Sequence, residues 1–346
     1  MQKQPVIAIV GPTASGKSSL GIYLAQKLGG EVISADSRQV YKGLNIGTGK
    51  VTKKEMAGIP HHLLDVASPK RQFTVDQFVK LGTKAIKDIL QRGHTPIIVG
   101  GTGLYVDMLL GRMSYPEVPP NPALRKRLEK KSTEHLFVML EKLDPARART
   151  IDAKNPRRLV RAVEIAKALG KNSFPTAEQK YDVFWLGLNP DDATLKKNIH
   201  MRLTARMKTG MVAEARRLHA HGLSYKRMRE LGLEYRFLAD YLETKLDKEE
   251  FEESLERAIW QYAKRQRTWF KRNMDIHWIQ SKTEALQLVK HFAGGRRDRK
   301  IEIVTTANEA SRAASHRRSW MPPMKSEQSR SSRASWNSVR SERRRS

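Results

Sequence analysis

The chain has 346 residues, enough for one large domain or two ordinary ones, and its 65 Lys/Arg against 36 Asp/Glu leave a net charge of +29. That excess points to a polyanionic partner, most simply nucleic acid. The absence of cysteine excludes disulfides, cysteine-based zinc sites and a thiol nucleophile. No apolar run approaches the roughly 18 residues that span a membrane, and the N-terminal run is too short for a signal peptide, so a soluble, cytoplasmic protein is expected.

The first apolar run, Val6–Val10, reads as a buried parallel strand and leads into "GPTASGKS", a G-x-x-x-x-G-K-[ST] phosphate loop. Its residues Gly11, Pro12, Thr13, Ala14, Ser15 and Gly16 turn backbone N–H groups around a phosphate. The following helix points its positive end at the same place. Lys17 should reach the terminal phosphates and the Ser18 hydroxyl should sit on Mg²⁺. The motif names a phosphate site, not a reaction.

A second strand is predicted over Glu31–Asp36, a third over Thr95–Gly101, a fourth over Val183–Pro190 and a fifth over Ile276–Gln280, with helical patterns between them. The alternation predicts an α/β fold: a parallel sheet with helices on both faces. The long helical block between the fourth and fifth strands predicts an added lobe. The expected organisation is a discontinuous core, 1–195 with 271–293, a helical lobe over 196–270, and a basic Arg/Ser-rich tail, 294–346, that reads as disordered. The tail holds 14 basic and 5 acidic residues, which leaves +20 on the body.

Polar residues cluster where strands end, the ligand-binding edge of open α/β sheets. Asp36 can face the phosphate-loop ligand, or cap the next turn. Ser37, Arg38 and Gln39 follow, and a Gln amide suits an adenine edge. "GGTGLY" allows close backbone approach and offers the Thr102 hydroxyl, but the strand before it lacks the carboxylate that a simple ATPase uses for Mg²⁺. Arg157, Arg158 and Arg161 open one helix; "YAKRQRTWFKR" mixes Lys264, Arg265 and other cations with aromatics, a composition suited to RNA, with Trp269 and Phe270 read as core. Arg202 and Arg206, four apart, could close over a diphosphate like a lid. His61 and His62 are adjacent, a poor metal pair, and read as structural.

Taken together, "GPTASGKS", "ADSRQVYKGLNIGTGK", "PHHLLD", "GGTGLY", "DPARARTIDAKNPRRLVRAVEIAKALGK" and "YAKRQRTWF" resemble the bacterial tRNA dimethylallyltransferase family, from Val6 to Phe292. The resemblance implies a P-loop kinase-like core with a helical insertion, a Mg²⁺ requirement, and the substrates dimethylallyl diphosphate and the tRNA anticodon stem-loop. The alkyl group goes to the exocyclic amine of the adenosine 3′ of the anticodon, in tRNAs reading codons that begin with U, and the loop holds the discarded diphosphate. It makes Asp36 the general base, with Lys17 and Thr102 beside it, and puts Arg125, the stretch Arg157–Arg161 (Leu159 and Val160 included), Asp36–Gln39 and Gln266 of "YAKRQ" on the tRNA. A monomer is expected.

The chain departs from the commoner family form at Leu231–Phe237 and in "IWQ" before "YAKRQ", which touches contacts from the helical lobe. Three rival readings stand beside this one. A small-molecule kinase would not use the +20 body. An isopentenyltransferase acting on free adenine nucleotide would need no tRNA surface. A non-catalytic RNA-binding protein would not need Lys17, Ser18, Asp36 and Thr102 together.

Overall fold

A computed structural model describes residues 3–114, 116–170 and 177–294. The basic tail beyond 294 lies outside the described residues. Six strands form one all-parallel sheet in the order β3-β2-β4-β1-β5-β6: β1 Gln4–Val10, β2 Gly30–Ser34, β3 His61–His62, β4 Thr95–Gly100, β5 Tyr181–Leu188 and β6 Ile276–Ile279. The five strands expected from sequence are all present. The sixth, β3, is a two-residue edge strand pairing Val32 with His61 and Ile33 with His62. It is too short to leave a hydrophobic period.

Side chains alternate across the sheet. Val6, Ala8, Val10, Ile33 and Ile98 pack with α3 (Val75–Gln91) and α4 (Gly103–Leu109) on one face. Ile7, Ile9, Val32, Ile97 and Val99 pack with α1 (Lys17–Leu28) and α14 (Lys282–Gly294) on the other. Strands covered on both faces lose polar alternation, which is why β1 reads as a continuous apolar run. Helix ends follow local chemistry: Thr52 with Glu55, and Thr74 with Gln77, form capping boxes at the starts of α2 (Lys53–Met56) and α3, and Gly29 closes α1 in the left-handed conformation.

Two helical groups have cores of their own. Helices α5 (Pro122–Leu128), α6 (Thr133–Leu143), α7 (Pro145–Thr150) and α8 (Pro156–Leu169) pack around Leu136, Leu140, Leu159 and Val163. Helices α9 (Asp192–Lys208), α10 (Met211–Ala220), α11 (Tyr225–Leu231), α12 (Leu233–Leu242) and α13 (Lys248–Phe270) pack around Leu203, Met211, Tyr235 and Phe251. The second core also takes in Ala14, Val40, Tyr41 and Leu44, so these helices are seated on the loops that follow β1 and β2. Among the described residues, no helix is long and apolar enough to cross a membrane.

Candidate active site

The carboxyl ends of β1, β2 and β4 meet at a cavity of about 430 Å³. Its lining includes Thr13–Ser19, Asp36, Gln39, Thr48, Gly49, Gly101, Asn198, Arg202, Tyr262 and Gln266.

The phosphate loop forms its floor. Gly11 has φ +146°, and a Cβ there would lie 2.3 Å from the Leu188 carbonyl oxygen, so a larger residue fits neither the conformation nor the space. Lys17 folds back and its Nζ donates to the Pro12 carbonyl at 2.5 Å. Burial, and then the positive charge of Arg202, lower the Lys17 pKa to about 7, against the opposing pull of Asp36. An ammonium in that state gains strongly from an arriving anion. The Ser15 hydroxyl is buried and has no hydrogen-bond partner among the described residues, which suits a phosphate oxygen. The Thr13 N–H, expected on phosphate, is instead taken by Gln266 Oε1 at 2.7 Å.

Asp36 stands at the cavity and also closes the turn that follows it: its Oδ1 accepts from the N–H groups of Arg38 (2.8 Å) and Gln39 (3.2 Å). Thr102 stands at the start of α4, and its Oγ1 accepts from the Ser37 N–H at 3.0 Å and donates to Ser37 Oγ at 3.4 Å. The strand ends carrying Asp36 and Thr102 are thus tied together. Tyr262 lines the cavity, and its phenol is pushed up to about 12 by burial and then by the charge of Asp36. Trp269 and Phe270 pack on the core beside α4.

Other expected contacts move. Gln266 is buried; it bridges the Thr13 N–H and the Gly101 carbonyl (2.8 Å), joining the two loops that flank the cavity it lines. Arg206 is no phosphate lid: its Nη1 donates to the Gly47 carbonyl at 2.7 Å and to Glu234 at 3.1 Å, while Arg202 alone of the pair lines the cavity. Leu159 and Val160 are core residues of the α5–α8 group, so the RNA contact expected of their side chains is withdrawn. Arg125 and Arg161 both donate to the buried Glu164, at 2.6 and 2.5 Å. Burial works against that carboxylate's charge, but the bonds from Arg125, Asn121 and Arg161 outweigh it and lower its pKa. Gln39 is held by Ser34 (3.3 Å) and the Gly49 carbonyl (3.4 Å). Arg157 and Arg158 are exposed, as are Lys264 and Arg265 on α13, with Arg265 over the Tyr262 ring.

Three features in and around the cavity escaped the sequence reading. His61 lines the cavity, its pKa lowered by burial. Tyr262 was visible only as one aromatic among cations. Glu214, of α10, reaches across to the loop after β2, a pairing 167 to 169 residues apart in sequence that leaves no local signal.

A phosphate loop after the interior strand β1 of a parallel sheet, with a carboxylate just past the end of β2, one strand beyond the adjacent β4, defines a P-loop kinase-like protein built to hold a phosphorylated substrate. Residues 39–273 match the IPP transferase family. A protein of Exiguobacterium sp. named tRNA dimethylallyltransferase is 42% identical over 294 residues, covering 83% of this chain and 94% of its own length. One of Geotalea uraniireducens, named tRNA dimethylallyltransferase 1, is 40% identical over 287 residues, covering 82% and 94%. The crystal structure of a tRNA delta(2)-isopentenylpyrophosphate transferase from Staphylococcus epidermidis aligns with a TM-score of 0.62 at 34% identity, over 85% of this chain and 100% of that one. Crystallographic snapshots of a eukaryotic dimethylallyltransferase acting on tRNA align at 0.76 and 26% identity, over 90% of this chain and 84% of that one. The chain belongs to the IPP transferase family.

Proposed function

We propose that the protein transfers a dimethylallyl group from dimethylallyl diphosphate to the exocyclic amine of the adenosine 3′ of the anticodon, in tRNAs reading codons that begin with U. The observation that carries this reading is the meeting of the phosphate loop and Asp36 in one cavity, with the Thr102 hydroxyl bonded to Ser37 beside Asp36, in a chain so similar to tRNA dimethylallyltransferases. The target base leaves the anticodon-loop stack to reach that cavity. The amine nitrogen attacks the allylic carbon as the bond to the diphosphate oxygen breaks. Asp36 takes the amine proton, and the diphosphate leaves with the bonding electrons. Lys17 and the loop N–H groups stabilise the charge that develops on it, while Arg202 holds the diphosphate alike before and during its departure. Ser18 lies in the first turn of α1 and lines the cavity, where its hydroxyl would hold Mg²⁺; the ion would supply Lewis-acid stabilisation of the leaving group.

The protein acts in the cytoplasm as a monomer. Residues 196–270 form the tRNA-binding lobe on the discontinuous core 1–195 and 271–293. Arg38, Arg157, Arg158, Lys264 and Arg265 contact tRNA phosphates or bases; Lys264 and Arg265 are exposed beside aromatic rings.

Incubating the protein and Mg²⁺ with radiolabelled dimethylallyl diphosphate, and unmodified tRNA or AMP, tests the reaction. Label at the adenosine beside the anticodon is expected. Label in AMP alone points to a free-nucleotide isopentenyltransferase, and label in neither revives the kinase reading.

A further inference from the structure

Glu214 is among the least exposed charged groups in the described residues, at 1%, and it is not bound to a cation. Its Oε2 accepts from the N–H groups of Asn45 (3.0 Å) and Ile46 (2.8 Å). Its Oε1 accepts from the Gly47 N–H (2.9 Å) and the Tyr235 hydroxyl (2.7 Å). A buried carboxylate that accepts from three successive backbone N–H groups holds them as a fixed anion does, with charge-assisted bonds. The far side of the same segment is held too: the Gly47 carbonyl accepts from Arg206, itself paired with Glu234.

Packing fixes the segment as tightly. A Cβ on Gly47 would lie 2.7 Å from the Tyr235 hydroxyl. Two residues further on, a Cβ on Gly49 would lie 2.8 Å from Arg202 Nη2, so the Arg202 guanidinium rests directly on this strap. Thr48 and Gly49 also line the cavity. A continuous chain of contact therefore runs from Glu214 through the strap to the cavity cation.

We propose that Glu214 is a positioning residue for the diphosphate: it clamps the strap over residues 45–47, and through Gly49 sets where the Arg202 guanidinium stands in the cavity. Arg206, Glu234 and Tyr235 complete the clamp. This rests on the reading of the cavity as the diphosphate site. The clamp acts on binding of the leaving group and not on the proton transfer at Asp36, so its loss shows in KM for the diphosphate substrate and leaves kcat nearly untouched.

The test is binding of inorganic pyrophosphate by calorimetry, which needs no turnover, together with steady-state kinetics on both substrates. In Glu214→Gln the side-chain amide puts N–H against N–H at the strap. Gly47→Ala displaces the same segment from Tyr235 with every charge retained. Both variants are expected to bind pyrophosphate at least 5-fold more weakly and to raise KM for dimethylallyl diphosphate by a similar factor. Their kcat should stay within about 2-fold and tRNA affinity should be unchanged. Should Glu214→Gln fail to fold, Gly47→Ala and Tyr235→Phe carry the test, the latter with a smaller effect in the same direction. Unchanged pyrophosphate binding in the folded variants overturns the clamp, as does an equal loss of kcat/KM for both substrates through kcat. Wild-type protein that binds pyrophosphate but prenylates nothing overturns the reaction and leaves the clamp standing. Wild-type protein that binds no pyrophosphate overturns both.

Discussion

The indole of Trp269 lies directly over Gly103: a Cβ on that glycine would sit 2.2 Å from the ring, and the indole N–H donates to Asp107 Oδ2 at 2.8 Å. Gly103 and Asp107 belong to the helix that begins after Thr102, so the end of α13 sets the seat of the Thr102 hydroxyl.

Two substitutions separate the parts of that contact. Gly103→Ala pushes α4 off Trp269 and is expected to lower turnover about 10-fold or more, since small misplacements of reacting groups are costly. Trp269→Phe keeps the packing and removes the donor to Asp107, whose pKa burial raises even with that bond in place. The expected loss of stability is about 1–2 kcal/mol at pH 7, where a carboxylate is left buried with less support. Protonating it relieves the penalty, so the deficit shrinks at pH 4; denaturant melts at both pH values check the sign.

In the proposed reaction Asp36 carries a chemical task beside its structural one. Asp36→Asn keeps an acceptor for the Arg38 and Gln39 N–H groups and loses only the base. Turnover should fall about 10²-fold or more with tRNA affinity and thermal stability retained. Asp36→Ala adds a capping loss of about 1 kcal/mol. Asparagine that matched wild-type turnover would remove the base role.

Lys17 stores instability for use on binding. Its pKa is lowered from 10.5 to about 7, so between those values the unfolded chain binds more protons than the folded one. Stability therefore rises with pH across that window, and the penalty is complete below pH 7. Lys17→Met should be more stable than wild type at pH 7, by about 1 kcal/mol or more, should flatten that rise, and should abolish turnover. Melting the two proteins at pH 7 and pH 9 decides it; a variant less stable than wild type at pH 7 contradicts the assignment.

At the edge of the sheet, Glu31 accepts from Arg92 through both oxygens (3.0 and 2.8 Å) and is hydrogen-bonded to His62 and His94 at 2.6 Å each. Burial opposes its charge, but the bonds from Arg92, His62 and His94 prevail and lower its pKa from 4.5 to about 2. The carboxylate's contribution is complete above pH 4.5 and is lost as pH falls through about 2. Glu31→Gln is expected to cost about 2 kcal/mol at pH 7 and nearly nothing at pH 2, read from denaturant midpoints.

Lys264 and Arg265 are the exposed cations nearest in sequence to the buried Gln266 and the cavity-lining Tyr262. Replacing both by Ala should weaken tRNA binding and reduce the slope of log K against log salt by roughly 1 to 2. A slope equal to wild type would mean these side chains face away from the RNA.

The phosphate loop, the parallel sheet and Asp36 were legible in sequence because each is local: a glycine spacing, an apolar run, a polar residue at a strand end. The family resemblance rested on the order of such local segments. The helical block over Asp191–Arg272 was visible for the same reason, since an apolar stripe repeats along each helix. The partners of the cations were not. Arg206 and Arg125 read as free charges until Glu234, Gly47 and Glu164 stood beside them. Gln266 read as a tRNA contact of a basic helix, and only the crossing of α13 over two loops buries it beside the cavity. A lone edge pair such as β3 carries no period to detect. Sequence by itself determined which chemical groups this protein owns and which segments carry them. Tertiary structure decided which of those groups remain available to a ligand, because a charge buried by folding must be met by another group inside the protein, and that group comes from anywhere in the chain.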